Sequence, residues 1–304
     1  MSTTEDLHPD AVRLDALRAK QIVKQLIAEE RRSQSAVAAQ SEEISYVATC
    51  AAECIRKGGR LIYVGAGTSG RLAMLDAAEC VPTFGIPHGV VVAVLAGGPQ
   101  AFIQAAEGAE DDVEAGSGRM DELSVNENDV VCGIAASGTT KFVIAALGRA
   151  HARKALTVLM TSNKLEQQVR NELRGFVYLF IHLDTGPEVI SGSTSLKAGT
   201  AQKITLNTLS TTVFTLLGKT YGGLMVDVKA TNTKLRLRAM RIVKLLTGLS
   251  DDDAKSLLEQ AGWSAKTAIV MSSKSIPAAE AEKMLRENGG HLRKVIGDID
   301  YLAR

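Results

Sequence analysis

Residues 60–85 read RLIYVGAGTSGRLAMLDAAECVPTFG, and their order decides the fold. The run 61–64 is apolar without polar alternation, the pattern of a strand covered on both faces. It leads into Gly65-Ala66-Gly67-Thr68-Ser69-Gly70, and a helical pattern follows from about Ser69. A turn of this kind points backbone N–H groups from a helix N-terminus at a bound anion. The loop fits G-x-G-x-x-G literally. The dinucleotide form of that pattern also needs an acidic residue at the end of the second strand, to hold a ribose. The second apolar run, 90–95, instead ends in Ala96-Gly97-Gly98. The hydroxyls of Thr68 and Ser69 suit a terminal phosphate ester better, and no G-K-[ST] ending makes an NTP loop.

Outward from this segment, four more short apolar runs follow, at 90–95, 130–135, 156–160 and 177–181. Most intervening stretches are helical by pattern. Strand–helix alternation predicts parallel strands with right-handed crossovers. The expected fold class is α/β, a three-layer α/β/α sandwich with a five-stranded parallel sheet. Residues 1–56 read as N-terminal helices packing on that core, with Leu14, Leu17, Ile22, Val23, Leu26 and Ile27 at helical spacing. The sandwich is expected over 57–220. A C-terminal helical region is expected over 221–304, with long helices over 196–218 and 231–246 and a small bundle after Ser250.

The third strand repeats the first design. Its run ends in Ser137-Gly138-Thr139-Thr140, and a helix begins at Lys141. Two hydroxyl-rich turns at the carboxyl ends of strands in one parallel sheet lie where open α/β sheets bind ligands. Both turns are expected to grip one phosphosugar.

Composition narrows the function classes. A chain of 304 residues, 45% hydrophobic and 23% charged, can bury a full core. A net charge of +1 gives no electrostatic case for nucleic acid or an anionic membrane surface. No apolar stretch is long enough to cross a bilayer. Residues 1–10 are polar and lack an apolar signal core, so the expected compartment is the cytoplasm. Cys50, Cys54, Cys80 and Cys132 form no C-x-x-C pair and the five histidines are scattered, so no metal site is expected.

These paired Ser/Thr turns resemble those of a sugar isomerase (SIS) domain. More narrowly, GAGTSGR at 65–71, DAAECVPTFG at 76–85, EGAEDD at 107–112, TGPEVISGST at 185–194, KAGTAQK at 197–203 and LMVDVKATN at 224–232 resemble the N-acetylmuramic acid 6-phosphate etherases. The resemblance runs from about Leu14 to near the C-terminus. It implies an enzyme that removes D-lactate from carbon 3 of N-acetylmuramic acid 6-phosphate and adds water, in recycling or catabolism of cell-wall sugar. It further implies a homodimer with no metal or organic cofactor. The chain departs from the family pattern at Thr139-Thr140-Lys141, where Arg and then Thr-Pro are usual, and at Ser195, where Arg is usual.

By that resemblance Glu79 and Glu110 are the two catalytic carboxylates. Elimination of an ether from an open-chain sugar needs a base at carbon 2 and an acid at the leaving oxygen. Glu79 is expected at the end of a helix that stops before Pro82, among apolar neighbours. Both conditions favour its protonated form, so it is assigned as the acid. Glu110 is assigned as the base, with Glu107, Asp111 and Asp112 as surface or capping residues. Substrate contacts are expected from Thr68, Ser69, Ser137, Gly138 and Thr139, with Lys197 neutralising the phosphate and Glu188 holding a sugar hydroxyl. N-capping by Glu188 and a surface role for Lys197 remain open readings. So do a non-catalytic phosphosugar-binding regulator and a phosphosugar isomerase. A helix from Ser69 to Glu79 spans roughly 15 Å, so either the helix ends early or Glu79 serves a site that includes a second subunit, and the second is expected.

Overall fold

The computed structural model describes residues 3–300 except 105, 107 and 231. It forms two compact units, Met1–Ala77 with Gly89–Ser210, and Ala78–His88 with Thr211–Arg304.

The first unit holds the sheet. Helices α1 (Ala19–Glu29), α2 (Arg31–Ala38) and α3 (Ser41–Arg56) precede strand β1 (Leu61–Gly65). Helix α4 (Gly67–Phe84) follows and continues into the second unit. Next come β2 (Val91–Leu95), α5 (Val113–Glu122), β3 (Val130–Ile134), α6 (Lys141–Ala152), β4 (Leu156–Thr161), α7 (Gln167–Leu173) and β5 (Leu179–His182). All five strands are parallel, in the order β2-β1-β3-β4-β5. The α/β sandwich read from the sequence is therefore the fold.

Side chains alternate across the sheet. Ile62, Val64, Val131 and Leu159 point to one face, where they pack with Met120 of α5 and Phe142, Val143 and Leu147 of α6. On the opposite face Tyr63 donates to Asp76 of α4 at 3.2 Å, and the same carboxylate accepts from Ser210 at 3.2 Å. Burial on both faces explains why these strands lack polar alternation. Strand order reverses between β1 and β3, and their last residues, Gly65 and Ile134, are register partners. The two hydroxyl-rich turns therefore start side by side at the switch point.

Gly65 and Gly70 allow α4 to start tightly against this edge. A Cβ on Gly70 would lie 2.6 Å from the Gly65 carbonyl oxygen and 2.4 Å from Leu95 Cδ1. The helix does not stop before Pro82, as the sequence reading expects. Pro82 stands inside its last turn, and the stop comes at Gly85, at φ +64°, whose N–H donates to the Val81 carbonyl. A proline near a helix end forfeits one backbone bond, whereas the left-handed glycine ends the helix outright.

The last helix of the sheet unit, α8 (Lys197–Leu216), also continues into the second unit. That unit adds α9 (Thr233–Thr247), α10 (Asp251–Gln260), α11 (Ala265–Lys274), α12 (Ala278–Glu287) and α13 (Leu292–Ile296). Thr231, where the sequence reading starts α9, lies outside the described residues. Val226, Ala239, Val243, Leu258 and Ile269 are buried at the centre of the bundle. Asn232, Ser250 and Ser264 cap three of its helices through their side chains. Asp227 receives the ammonium groups of Lys266 at 2.8 Å and Lys219 at 3.0 Å. No helix among the described residues is long and apolar enough to cross a membrane.

Candidate active site

A cavity of about 470 Å³ opens at the switch point, entirely within the first unit. This volume suits a small molecule. The turn after β1 contributes Gly67, Thr68 and Ser69, and the turn after β3 contributes Ser137, Thr139 and Thr140. Each turn opens a helix, whose first backbone N–H groups have no intrahelical partner. At α6 the Thr140 side chain makes no capping bond either. Ser137 Oγ accepts from the Thr139 N–H at 3.2 Å, and Gly138 turns the chain at φ +77°. A Cβ there would lie 2.5 Å from Leu165 Cδ2. Ser69 is nearly buried and its hydroxyl donates to Gln202 on α8 at 2.9 Å. Two helix N-termini and their hydroxyls thus converge on one space, with the chemistry of a phosphate cradle.

Glu110 faces the same cavity. It sits on a short 3-10 turn, Ala109–Asp111, entered through the left-handed Gly108, and its carboxylate is exposed. Asp112 caps α5 by accepting from the Ala115 N–H at 2.8 Å. Asp111 lines the cavity beside Glu110 and pairs with Lys141 at 3.1 Å. Glu107 lies outside the described residues.

The structure brings Thr68, Ser69, Ser137, Thr139 and Glu110 together around one space, with Gly138 shaping the turn between the last pair. Glu188 and Lys197 are not among the lining residues, and Glu79 belongs to the second unit. Glu188 is fully buried and accepts from the backbone N–H groups of Lys197 at 3.1 Å and Ala198 at 2.8 Å. It holds the start of α8, the capping role left open by the sequence. Burial pushes its carboxyl up from the usual carboxylate range, against those two N–H bonds. Lys197 is not a surface lysine. It is buried, with its ammonium 2.8 Å from Glu29.

Glu79 lies in the interior of α4, within the stretch that belongs to the second unit, and its side chain is exposed. The two local effects expected to favour its acid form, a helix end and apolar cover, are not features of this position. The end came later because Gly85, not Pro82, stops the helix. The apolar neighbours Val81 and Leu75 lie along a helix whose face at Glu79 meets solvent.

Sequence reasoning missed one wall of the cavity. Thr4 and Glu5 line it together with Asn163, Gly192 and Thr194. Asn163 accepts from the Thr4 N–H at 2.9 Å and donates to Thr4 Oγ1 at 3.0 Å, and the Gly192 N–H donates to the Thr4 carbonyl at 2.9 Å. These bonds strap the N-terminal arm across the sheet edge.

Comparison with known proteins agrees with this geometry. The Francisella tularensis phosphoheptose isomerase structure superposes with a TM-score of 0.52 at 15% identity, covering 66% of this chain and 100% of that one. At that identity the likeness speaks for the fold. Residues 43–151 match the family described as the glucokinase regulatory protein N-terminal SIS domain. The N-acetylmuramic acid 6-phosphate etherase of Deinococcus radiodurans is 45% identical over 99% of this chain and 97% of its own. The chain belongs to the N-acetylmuramic acid 6-phosphate etherase family. The member from Rubrobacter xylanophilus is 44% identical over 97% of this chain and 96% of its own. Membership in this etherase family extends over both units, well beyond the segment that matches the SIS domain alone.

Proposed function

We propose that this chain is a carbon–oxygen lyase that cleaves the D-lactyl ether of N-acetylmuramic acid 6-phosphate, giving N-acetylglucosamine 6-phosphate and D-lactate. The single observation that carries this reading is the 45% identity over nearly the whole length to an etherase. The cavity supports it independently, because it joins a phosphate cradle to a carboxylate. In the cell this reaction serves recycling or catabolism of cell-wall amino sugar.

The 6-phosphate sits on the turns at Thr68-Ser69 and Ser137-Gly138-Thr139. The open-chain sugar presents an aldehyde at carbon 1, which acidifies the proton on carbon 2. Glu110 removes that proton, and the C–H electron pair enters the enolate. The enolate collapses, the C3–O bond breaks, and its pair leaves with the lactyl oxygen. Glu79 supplies the proton that makes it a hydroxyl. Glu110 passes the carbon 2 proton to solvent and acts again as base on the water that adds at carbon 3 of the conjugated double bond, while a solvent proton returns to carbon 2 and another restores the acid form of Glu79.

Continuous helix separates Ser69 from Glu79 by roughly 15 Å along the axis. The sequence allows two accounts of this distance, an early helix end or a site that includes a second subunit, and α4 runs unbroken past Glu79. Glu79 acts on the cavity of a second copy of the chain in a homodimer. Lys197 and Glu188 support the cradle from behind, by fixing the start of α8, rather than by touching substrate.

Incubating the folded protein with N-acetylmuramic acid 6-phosphate and assaying D-lactate tests the reading. Stoichiometric release of lactate and N-acetylglucosamine 6-phosphate is expected. Folded protein that binds phosphosugar but releases no lactate would overturn it in favour of a regulator. Conversion to a ketose phosphate would overturn it in favour of an isomerase.

A further inference from the structure

Among the described residues that line the cavity, Lys141 is the one basic residue. Its place is unfavourable by local rules. It is the first residue of α6, at the positive end of that helix dipole, and its side chain is 64% exposed. Its ion pair with Asp111, at 3.1 Å, is equally exposed and therefore weak. Arg71 approaches from an adjoining depression, but its Nε and Nη2 donate to the Ala101 and Phe102 carbonyls. Lys141 is thus a cation held near the site by a partner it can exchange.

The substrate proposed above carries two anions. The phosphate has its own cradle of N–H and hydroxyl donors. The lactyl carboxylate has none among the groups described so far. It hangs from carbon 3, next to the carbon whose proton Glu110 removes. Asp111, the partner of Lys141, is the neighbour of Glu110 in sequence. A carboxylate presented at carbon 3 therefore arrives within reach of the Lys141 ammonium. We propose that Lys141 exchanges Asp111 for the lactyl carboxylate of the bound substrate, and so selects the lactyl ether over phosphosugars without that group. No bond is made or broken in this exchange, and the ammonium keeps its proton. The inference rests on the etherase reading and on this chain's own Lys141.

The test compares Lys141→Met and Lys141→Arg with the unaltered protein, using substrate turnover and competitive inhibition by N-acetylglucosamine 6-phosphate, which lacks the lactyl group. A charge-assisted hydrogen bond lost from the substrate complex corresponds to about ten- to a hundredfold in affinity. The expected result is a KM for N-acetylmuramic acid 6-phosphate raised by that factor in Lys141→Met and largely restored in Lys141→Arg. The inhibition constant of N-acetylglucosamine 6-phosphate should stay unchanged. Equal weakening of substrate and inhibitor would overturn the proposal by placing Lys141 on the phosphate. A fall in kcat at unchanged KM would overturn it by making the Asp111 pair a support for Glu110. Unchanged kinetics would also overturn it. If the unaltered protein releases no D-lactate, the etherase reading itself fails, a result distinct from all of these.

Discussion

The Lys197 ammonium and the Glu29 carboxylate meet at 2.8 Å beneath α8, with the lysine side chain 2% exposed. His8 Nε2 at 3.0 Å and Arg32 Nε at 3.1 Å approach the same carboxylate. Burial works to raise the Glu29 carboxyl, but the hydrogen bonds of Lys197 and His8, with the charges of Lys197 and Arg32, outweigh it and hold it at about 2. A carboxyl depressed on folding adds stability that is fully present above its ordinary value of 4.5 and is lost as pH falls toward 2. Glu29→Gln should therefore destabilise the protein at pH 7, on the order of 3–5 kcal/mol, because it strands a buried ammonium. Thermal melts at pH 7 and pH 3 check this. The gap between variant and parent should narrow at the lower pH, and Glu29→Leu combined with Lys197→Met should recover part of the loss.

Glu110 is exposed and makes no structural bond among those described, so its replacement separates chemistry from folding. Glu110→Gln should keep the parent melting temperature within about 1 °C, since surface changes of this kind cost little. Lactate release should fall by about a hundred- to ten-thousandfold. Exchange of the carbon 2 proton in deuterated water should fall with it. Retained exchange would reassign the base.

Glu79→Gln should lose ether cleavage while keeping that exchange, because protonating the leaving group follows proton removal. If the site is shared, mixed dimers of Glu79→Gln and Glu110→Gln chains contain one site with both carboxylates. Co-expression with two tags and isolation of the mixed species should return up to about half of parent activity per dimer. Verified mixed dimers with no recovery would place both glutamates on one chain.

Gly70→Ala brings a methyl group to 2.6 Å from a backbone carbonyl oxygen, which cannot move aside as a side chain tip can. The turn after β1 must shift, at a cost of about 1–3 kcal/mol. Inorganic phosphate should then protect the variant against thermal unfolding less than it protects the parent, a difference that a melt series with phosphate would reveal.

The sheet was legible because its strands are buried on both faces. Continuous apolar runs mark such strands, and each of the five runs contains most of its strand. The two hydroxyl-rich turns were legible because their chemistry is contiguous in sequence. Helix α4 was misjudged at Pro82, where a local rule met a helix able to forgo one hydrogen bond before Gly85 ended it. Lys197 read as a phosphate contact or a surface lysine because its partner, Glu29, is 168 residues away and leaves no local pattern. The wall made by Thr4 and Glu5 was hidden for the same reason. Lys141 stood in plain view, but as a departure from a motif it carried no meaning until Asp111 and the cavity lay beside it.

The strap between Thr4 and Asn163 spans 159 residues of sequence, and its third anchor is Gly192. Contacts so distant form only after the intervening chain has been ordered, because the loop they close is long. The cradle turn after β1 also reaches far along the chain, because Ser69 donates to Gln202 across 133 residues. Grip and pocket wall therefore both wait on the chain beyond the last strand, and neither can mature while that stretch is still being ordered.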